Sequence, residues 1–253
     1  MTNKLKYFIG NWKMFGDFSS LKIIYQIHQF CSRYRKHFKK NKVILCVPST
    51  LIHYFKKKLQ SKFISLGVQN CHYHQGYGPF TGSVNAAMLT KAGAEYIILG
   101  HSENRSEGES NKLIKKKIIS SLNQKFNIIF CIGETLYEKK RSKTFSVLRK
   151  QIKSSLEKKF NLNKIIIAYE PVWSIGTNKI PEMNELKNTI KFIKNDFKNI
   201  LKTKKYPKVL YGGSVNDKNI RLFSSISEID GFLIGGASQS SKKFIDIVRN
   251  YYK

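Results

Sequence analysis

The chain has 253 residues, 41% hydrophobic and 13% aromatic, which is ample material for a buried core and excludes a disordered polypeptide. No apolar run approaches the ~20 residues that cross a bilayer, and Met1-Thr2-Asn3-Lys4 leads into a strand-like segment without a secretory apolar core or cleavage site. The formal net charge is +30, but the lysines fall in small clusters spread along the chain (Lys56 to Lys58, Lys115 to Lys117, Lys139-Lys140, Lys204-Lys205, Lys242-Lys243). Asn, Ile, Phe and Tyr are also abundant, the set that A- and T-rich codons produce. The charge therefore reads as compositional drift and not as a dedicated nucleic-acid or membrane partner, although a basic surface still raises the local concentration of anionic substrates.

Eight short apolar runs follow in order. They are Tyr7-Phe8-Ile9, Val43 to Val47, Ile64 to Val68, Tyr96 to Leu99, Ile128 to Ile132, Ile165 to Ala168, Val209 to Tyr211 and Phe232 to Ile234. Continuous apolar strands belong to parallel sheets covered on both faces. Between them lie longer Lys-rich segments with helical spacing, such as Leu21, Ile24, Ile27, Cys31 and Ile190, Ile193, Phe197, Leu201. Eight such units predict an α/β fold, a (β/α)8 barrel, as a single domain over residues 1–253. A doubly wound open sheet is the structural alternative. Cys31, Cys46, Cys71 and Cys131 are scattered with no Cys-x-x-Cys pair. That spacing indicates neither a disulfide framework nor a zinc site, and it fits a reducing cytoplasm.

In such a barrel the chemistry belongs to the C-terminal strand ends, and the unusual residues fall there. The first run ends in Asn11-Trp12-Lys13, the fourth in Gly100-His101-Ser102-Glu103 and the sixth in Glu170-Pro171. The seventh ends in Gly212-Gly213-Ser214 and the eighth in Gly235-Gly236-Ala237-Ser238. Proline cannot continue strand pairing, so the chain leaves the sheet at Glu170, and the loop that follows, with an apolar tip at Trp173 to Gly176, is long enough to fold over that carboxylate as a lid. The two Gly pairs offer backbone N–H groups to a phosphate, the second at a helix N-terminus. His101 opens a helix, where the positive end of the dipole disfavours imidazolium. His28, His37 and His53 fall in helical segments; His72 and His74 lie in a loop without an Asp, Glu or Cys arrangement that indicates a metal. Strand alternation puts Lys13 on the same side as Asn11, facing the barrel mouth, as a fixed cation or as a Schiff-base lysine of an aldolase. A carboxylate, a neutral histidine, a cation and a phosphate cradle together suit proton abstraction beside a carbonyl on a small phosphorylated substrate.

Asn11 to Met14, Gly100 to Glu103, Cys131 to Glu134, Tyr169 to Trp173, Tyr211 to Val215 and Gly235 to Ser238 resemble the motifs of the triosephosphate isomerase family, in the right order over essentially the whole chain. The resemblance implies interconversion of dihydroxyacetone phosphate and glyceraldehyde 3-phosphate through an enediol(ate), without metal or organic cofactor. Glu170 would move the proton, His101 would be the electrophile, Lys13 a fixed cation oriented by Glu103, and Asn11 would position the substrate oxygen. Backbone N–H groups of Gly176, Ser214, Gly235 and Gly236 would hold the phosphate, with Ile175 and Leu233 closing over Glu170. The resemblance also implies a homodimer through the loop 69–85, with Thr81 reaching toward the partner's site. Four positions depart from the family pattern. Ser83 stands for Glu and Asn104 for Arg, a pair that meets across the family's interface; Phe15 stands for Asn, and Asn178 for Gly in the lid's second hinge.

Overall fold

The computed structural model describes residues 5–36 and 40–252. Met1 to Lys4 and His37 lie outside the described residues. Eight parallel strands form the barrel: β1 (Lys6–Asn11), β2 (Asn41–Cys46), β3 (Ile64–Val68), β4 (Tyr96–Leu99), β5 (Asn127–Ile132), β6 (Ile165–Tyr169), β7 (Lys208–Tyr211) and β8 (Gly231–Ile234). Each pairs with the next, and β8 returns to β1 in the register Phe8 to Phe232. This closure is a (β/α)8 barrel, and it rules out the doubly wound alternative.

Alternation explains why the strands read as unbroken apolar runs. Ile9, Ile44, Ile98, Ile129, Ala168, Leu210 and Leu233 belong to an inner cluster that fills the barrel. Their neighbours Phe8, Val43, Leu45, Ile97, Phe130, Ile167, Val209 and Phe232 belong to a second, outer cluster shared with the helices. Apart from the first residues of β1, β2, β5 and β7, both faces of the strands are dry, so neither face can carry a polar residue without a partner there.

The helices are α1 (Leu21–Arg33), α2 (Ser49–Lys58), α3 (Ala86–Lys91), α4 (Ser102–Ser106), α5 (Asn111–Asn123), α6 (Leu136–Lys140), α7 (Thr144–Ser155), α8 (Met183–Leu201) and α9 (Ser241–Asn250). In α1 the predicted stripe is buried at Ile24, Ile27 and Cys31, and in α8 at Ile190, Ile193, Phe197 and Leu201. Side chains set the starts: Asn85, Ser110 and Ser240 accept from backbone N–H groups of α3, α5 and α9. Thr135 and Glu138 form a reciprocal capping box on α6. The link from β7 to β8 departs from the expected unit. It carries a 3-10 segment, Ile220–Ser225, in place of an α-helix.

Burial along α8 predicts where stability resides. Ile193→Ala opens a cavity at a fully buried position and is expected to cost about 2–5 kcal/mol, whereas Asn188→Ala on the exposed face should stay within ~0.5 kcal/mol. Urea unfolding of both variants checks this; equal midpoints would show that the stripe does not hold the helix to the barrel.

Candidate active site

The C-terminal mouth of the barrel holds a cavity of about 320 Å³. Of the twelve residues singled out from the sequence, ten line it: Asn11, Lys13, His101, Glu170, Ile175, Gly176, Ser214, Leu233, Gly235 and Gly236. Glu103 stands behind Lys13. Thr81 is exposed in the 69–85 loop and does not line this pocket.

Glu170 directly follows β6 and is only 2% exposed, far from a solvated strand-end residue. Its N–H donates to Ile132 C=O at 2.8 Å, which extends the sheet by one rung. Across that rung a Cβ on Gly133 would lie 1.8 Å from the Glu170 carbonyl oxygen, so the close approach requires glycine there. The carboxylate accepts Ser102 N–H at Oε2, 3.4 Å away. Oε1 lies 3.3 Å from His101 Nε2, off the line of a hydrogen bond, and is buried without a hydrogen-bond partner among the described residues. Burial raises the Glu170 pKa above its ordinary 4.5; His101, the Ser102 N–H, Cys131 and Lys13 offset part of that rise.

His101 caps the first turn of α4. Its Nδ1 accepts Glu103 N–H at 3.3 Å, which leaves the ring proton on Nε2, facing Glu170 and the cavity. The strand end behind it is fixed by Arg105, whose Nε donates to Gly100 C=O at 2.7 Å and whose second nitrogen donates to Cys131 C=O at 3.0 Å.

Lys13 reaches the mouth differently from the expectation. β1 ends at Asn11, so strand alternation does not place Lys13; a left-handed turn with φ +56° does. Its N–H donates to Asn11 Oδ1 at 3.1 Å. Gln69 Nε2 clamps the turn at Asn11 Oδ1 (3.2 Å), Lys13 C=O (2.9 Å) and Cys46 C=O (3.2 Å). Lys13 Nζ donates to Glu103 Oε1 in an ion pair.

The lid begins with a 3-10 turn, Val172–Ser174, after Pro171. Fully buried Glu134 holds this end: its carboxylate accepts Trp173 Nε1 at 2.9 Å and the Tyr169 hydroxyl at 3.2 Å, and burial raises its pKa. Lys139 Nζ sits 3.9 Å above the Trp173 ring. At the other end Asn178 adopts φ +60°, a left-handed conformation that Asn tolerates better than most side chains, so its place in the hinge is accommodated. Phe15 packs edge-on against Trp12, with centroids 5.6 Å apart.

Sequence reading missed several participants. Asn216, Asp217 and Lys243 also line the cavity, and Gln69, Arg105 and Glu134 brace its walls. Lys243 carried no signal, because it stood in one of many lysine clusters. Gln69 and Arg105 act on backbone carbonyls far away in sequence, which no local pattern reports.

The triosephosphate isomerase family profile matches residues 6–251. The chain is 37% identical to the triosephosphate isomerase of Aquifex aeolicus, over 96% of this chain and 98% of that protein. It is 36% identical to that of Bartonella quintana over the whole of both. A crystal structure of triosephosphate isomerase from Bartonella henselae shares its fold with a TM-score of 0.86 at 35% identity, covering 98% of this chain and 99% of the other. Barrel closure, the composition of its mouth and full-length similarity agree: the chain belongs to the triosephosphate isomerase family.

Proposed function

We propose that the chain, acting as one domain over residues 1–253, interconverts dihydroxyacetone phosphate and D-glyceraldehyde 3-phosphate, with Glu170 as the base. The observation that carries this reading is the unpartnered, buried Glu170 Oε1 at the cavity wall, 3.3 Å from an imidazole nitrogen that bears a proton. Glu170 takes the proton from the carbon beside the carbonyl and returns it to the neighbouring carbon. His101 Nε2–H polarises the carbonyl oxygen and moves a proton between the two oxygens, so the intermediate is an enediol(ate). Lys13, paired with Glu103, balances the developing negative charge. Asn11 positions the substrate oxygen. Backbone N–H groups of Gly176, Ser214, Gly235 and Gly236 take the phosphate, those of the 235–236 pair at the 3-10 segment Gly236–Gln239. Ile175 and Leu233 shield Glu170 from water.

A homodimer through the loop 69–85 is part of the same reading. The loop is packed on itself, with Phe80 against His72 and His74 at 4.5 and 4.8 Å and Asn85 Nδ2 donating to Gly76 C=O at 2.7 Å. Its base is anchored by the buried pair Lys117 and Glu109, with Lys117 Nζ also donating to Asn70 at 2.9 Å. Yet Tyr77 is 75% exposed, and Met14 is fully exposed, an apolar display that a second copy would cover. Four unpaired cysteines suit the cytoplasm, and no helix among the described residues is long and apolar enough to cross a membrane.

Four measurements test this reading. A coupled assay of triose phosphate interconversion should show activity that falls by at least ~100-fold in Glu170→Asp, where the carboxylate retreats by roughly 1 Å. It should fall further in Glu170→Gln, with thermal melts little changed; near-normal kcat in the folded Gln variant removes Glu170 from the mechanism. The acid limb of kcat/KM should lie above 4.5, because the raised Glu170 pKa keeps the base protonated into mildly acidic solution. In that window the folded chain holds a proton the unfolded chain has released, so this residue makes stability fall as pH rises, and Glu170→Gln should remove that slope. Sedimentation over a dilution series should show a dimer with little salt dependence, since neutral Ser83 and Asn104 stand where the family pairs opposite charges; a stable, active monomer refutes it.

A further inference from the structure

Ser174 is fully buried at the neck of the lid, and its hydroxyl uses every hydrogen-bonding capacity it has. It donates to Lys179 C=O at 2.5 Å. That bond commits its only proton, so the Tyr211 hydroxyl, 3.1 Å away, is the donor into Ser174 Oγ. Burial pushes the Tyr211 hydroxyl up to about 12, which keeps it a donor at any ordinary pH. Ser214 N–H also donates to Ser174 Oγ, at 3.3 Å. A second set of bonds runs alongside: Ser214 Oγ donates to Ser174 C=O at 2.6 Å and accepts Asn178 N–H at 3.1 Å. The two ends of the lid tip, 174 and 178–179, are thus tied to each other and to the exit of β7. The fit leaves no space at Gly213, where a Cβ would lie 2.3 Å from the Tyr211 hydroxyl and 2.6 Å from Ser174 Oγ.

We propose that Ser174 is a positioning residue: its hydroxyl knots the neck of the lid to Tyr211, so that Gly176 N–H and Ile175 are held over the phosphate and Glu170. The inference rests on the reading of the site given above. It also carries a definite sign. Ser214 N–H is one of the phosphate donors, and in this structure it is turned to Ser174 Oγ. Removing the hydroxyl therefore frees a donor while loosening the lid. The bonds at 2.5 and 3.1 Å to the neck and to Tyr211 are shorter than the 3.3 Å bond to Ser214, so loosening dominates.

The test compares Ser174→Ala, Tyr211→Phe, the double variant and Glu170→Gln by steady-state kinetics, by inhibition with glycerol 3-phosphate and by amide exchange across 174–180, each beside its thermal melt. Each single variant should raise the inhibitor constant and KM by about 2- to 10-fold, the worth of one hydrogen bond, with a smaller change in kcat and faster exchange at Gly176 and Asn178. The double variant should be no worse than the more affected single one, because both hydroxyls serve one contact. If Ser174→Ala melts early, Tyr211→Phe, which keeps the ring in the core, carries the comparison. An unmoved inhibitor constant and exchange rate, or additive effects, overturn the proposal. A lowered inhibitor constant also overturns it, since the hydroxyl would then be a competitor for the phosphate donor. Activity lost in Glu170→Gln beside an unmoved Ser174→Ala refutes the knot alone; activity retained in Glu170→Gln refutes the reading of the site and the knot with it.

Discussion

Keeping one carboxylate dry governs the arrangement at the mouth of this barrel. An ionised carboxylate out of water is destabilised by several kcal/mol unless it is fully paired, and Glu170 is paired only in part: one oxygen takes a long bond from Ser102 N–H and the other takes none. The surrounding structure must therefore hold it there. The sheet does so through the bond from Glu170 N–H to Ile132, and the absence of a side chain at Gly133 permits the approach. A carboxylate stripped of water and short of hydrogen bonds is a stronger base than the same group in solution, so in the mechanism proposed for Glu170 the burial that is costly to the fold would also supply the basicity.

The loop that follows Glu170 is held at both of its ends. Its first end is pinned by a buried carboxylate, Glu134, that takes bonds from Trp173 and Tyr169. Its second end is pinned by hydroxyls, those of Ser174 and Ser214, acting on backbone groups. A charge-assisted bond from an indole N–H to a buried carboxylate is strong and directional. Neutral hydroxyl bonds are individually weak and easily exchanged. The loop is thus anchored by a buried carboxylate at Trp173 and by neutral hydroxyl bonds at 178–179.

The positions of the eight strands were legible because burial on both faces leaves an unmistakable apolar run, and every predicted run lies within or within one residue of an observed strand. The mouth was legible because the chain changes character abruptly where each strand ends: Glu170, His101 and the two Gly pairs are residues a buried strand excludes. Lys13 was right in place and wrong in cause, since a left-handed turn, and not pleat alternation, aims it. Where sequence reading failed, the reason was distance or monotony. Gln69 bridges β1 and β2, Arg105 joins the ends of β4 and β5, and Ser174 meets Tyr211 across the lid. Such bonds depend on barrel closure and leave no spacing behind. Lys243 is one cation among 46 Lys and Arg residues, so its residue type conveyed nothing.

The same imbalance explains why so basic a chain keeps its site intact. An exposed lysine exerts little influence beyond ~8 Å at physiological ionic strength, and exposed ion pairs contribute about 0–1 kcal/mol, so surface positions can accumulate cations with small individual effect. The 16 carboxylates are another matter. Glu103 holds Lys13, Glu109 holds a buried lysine, Glu134 anchors the lid, and Asp230 accepts Val209 N–H at 2.9 Å while meeting Lys194 at 2.6 Å. Exchanging any of these for a cation would strand a buried donor or bring two positive charges together, which is far costlier than one more exposed lysine. Self-repulsion of a +30 surface opposes compaction, and the two concentric apolar clusters of the barrel are what oppose it in turn. The charge thus spreads over the outside, while the buried carboxylates other than Glu170 each sit beside a specific donor or cation.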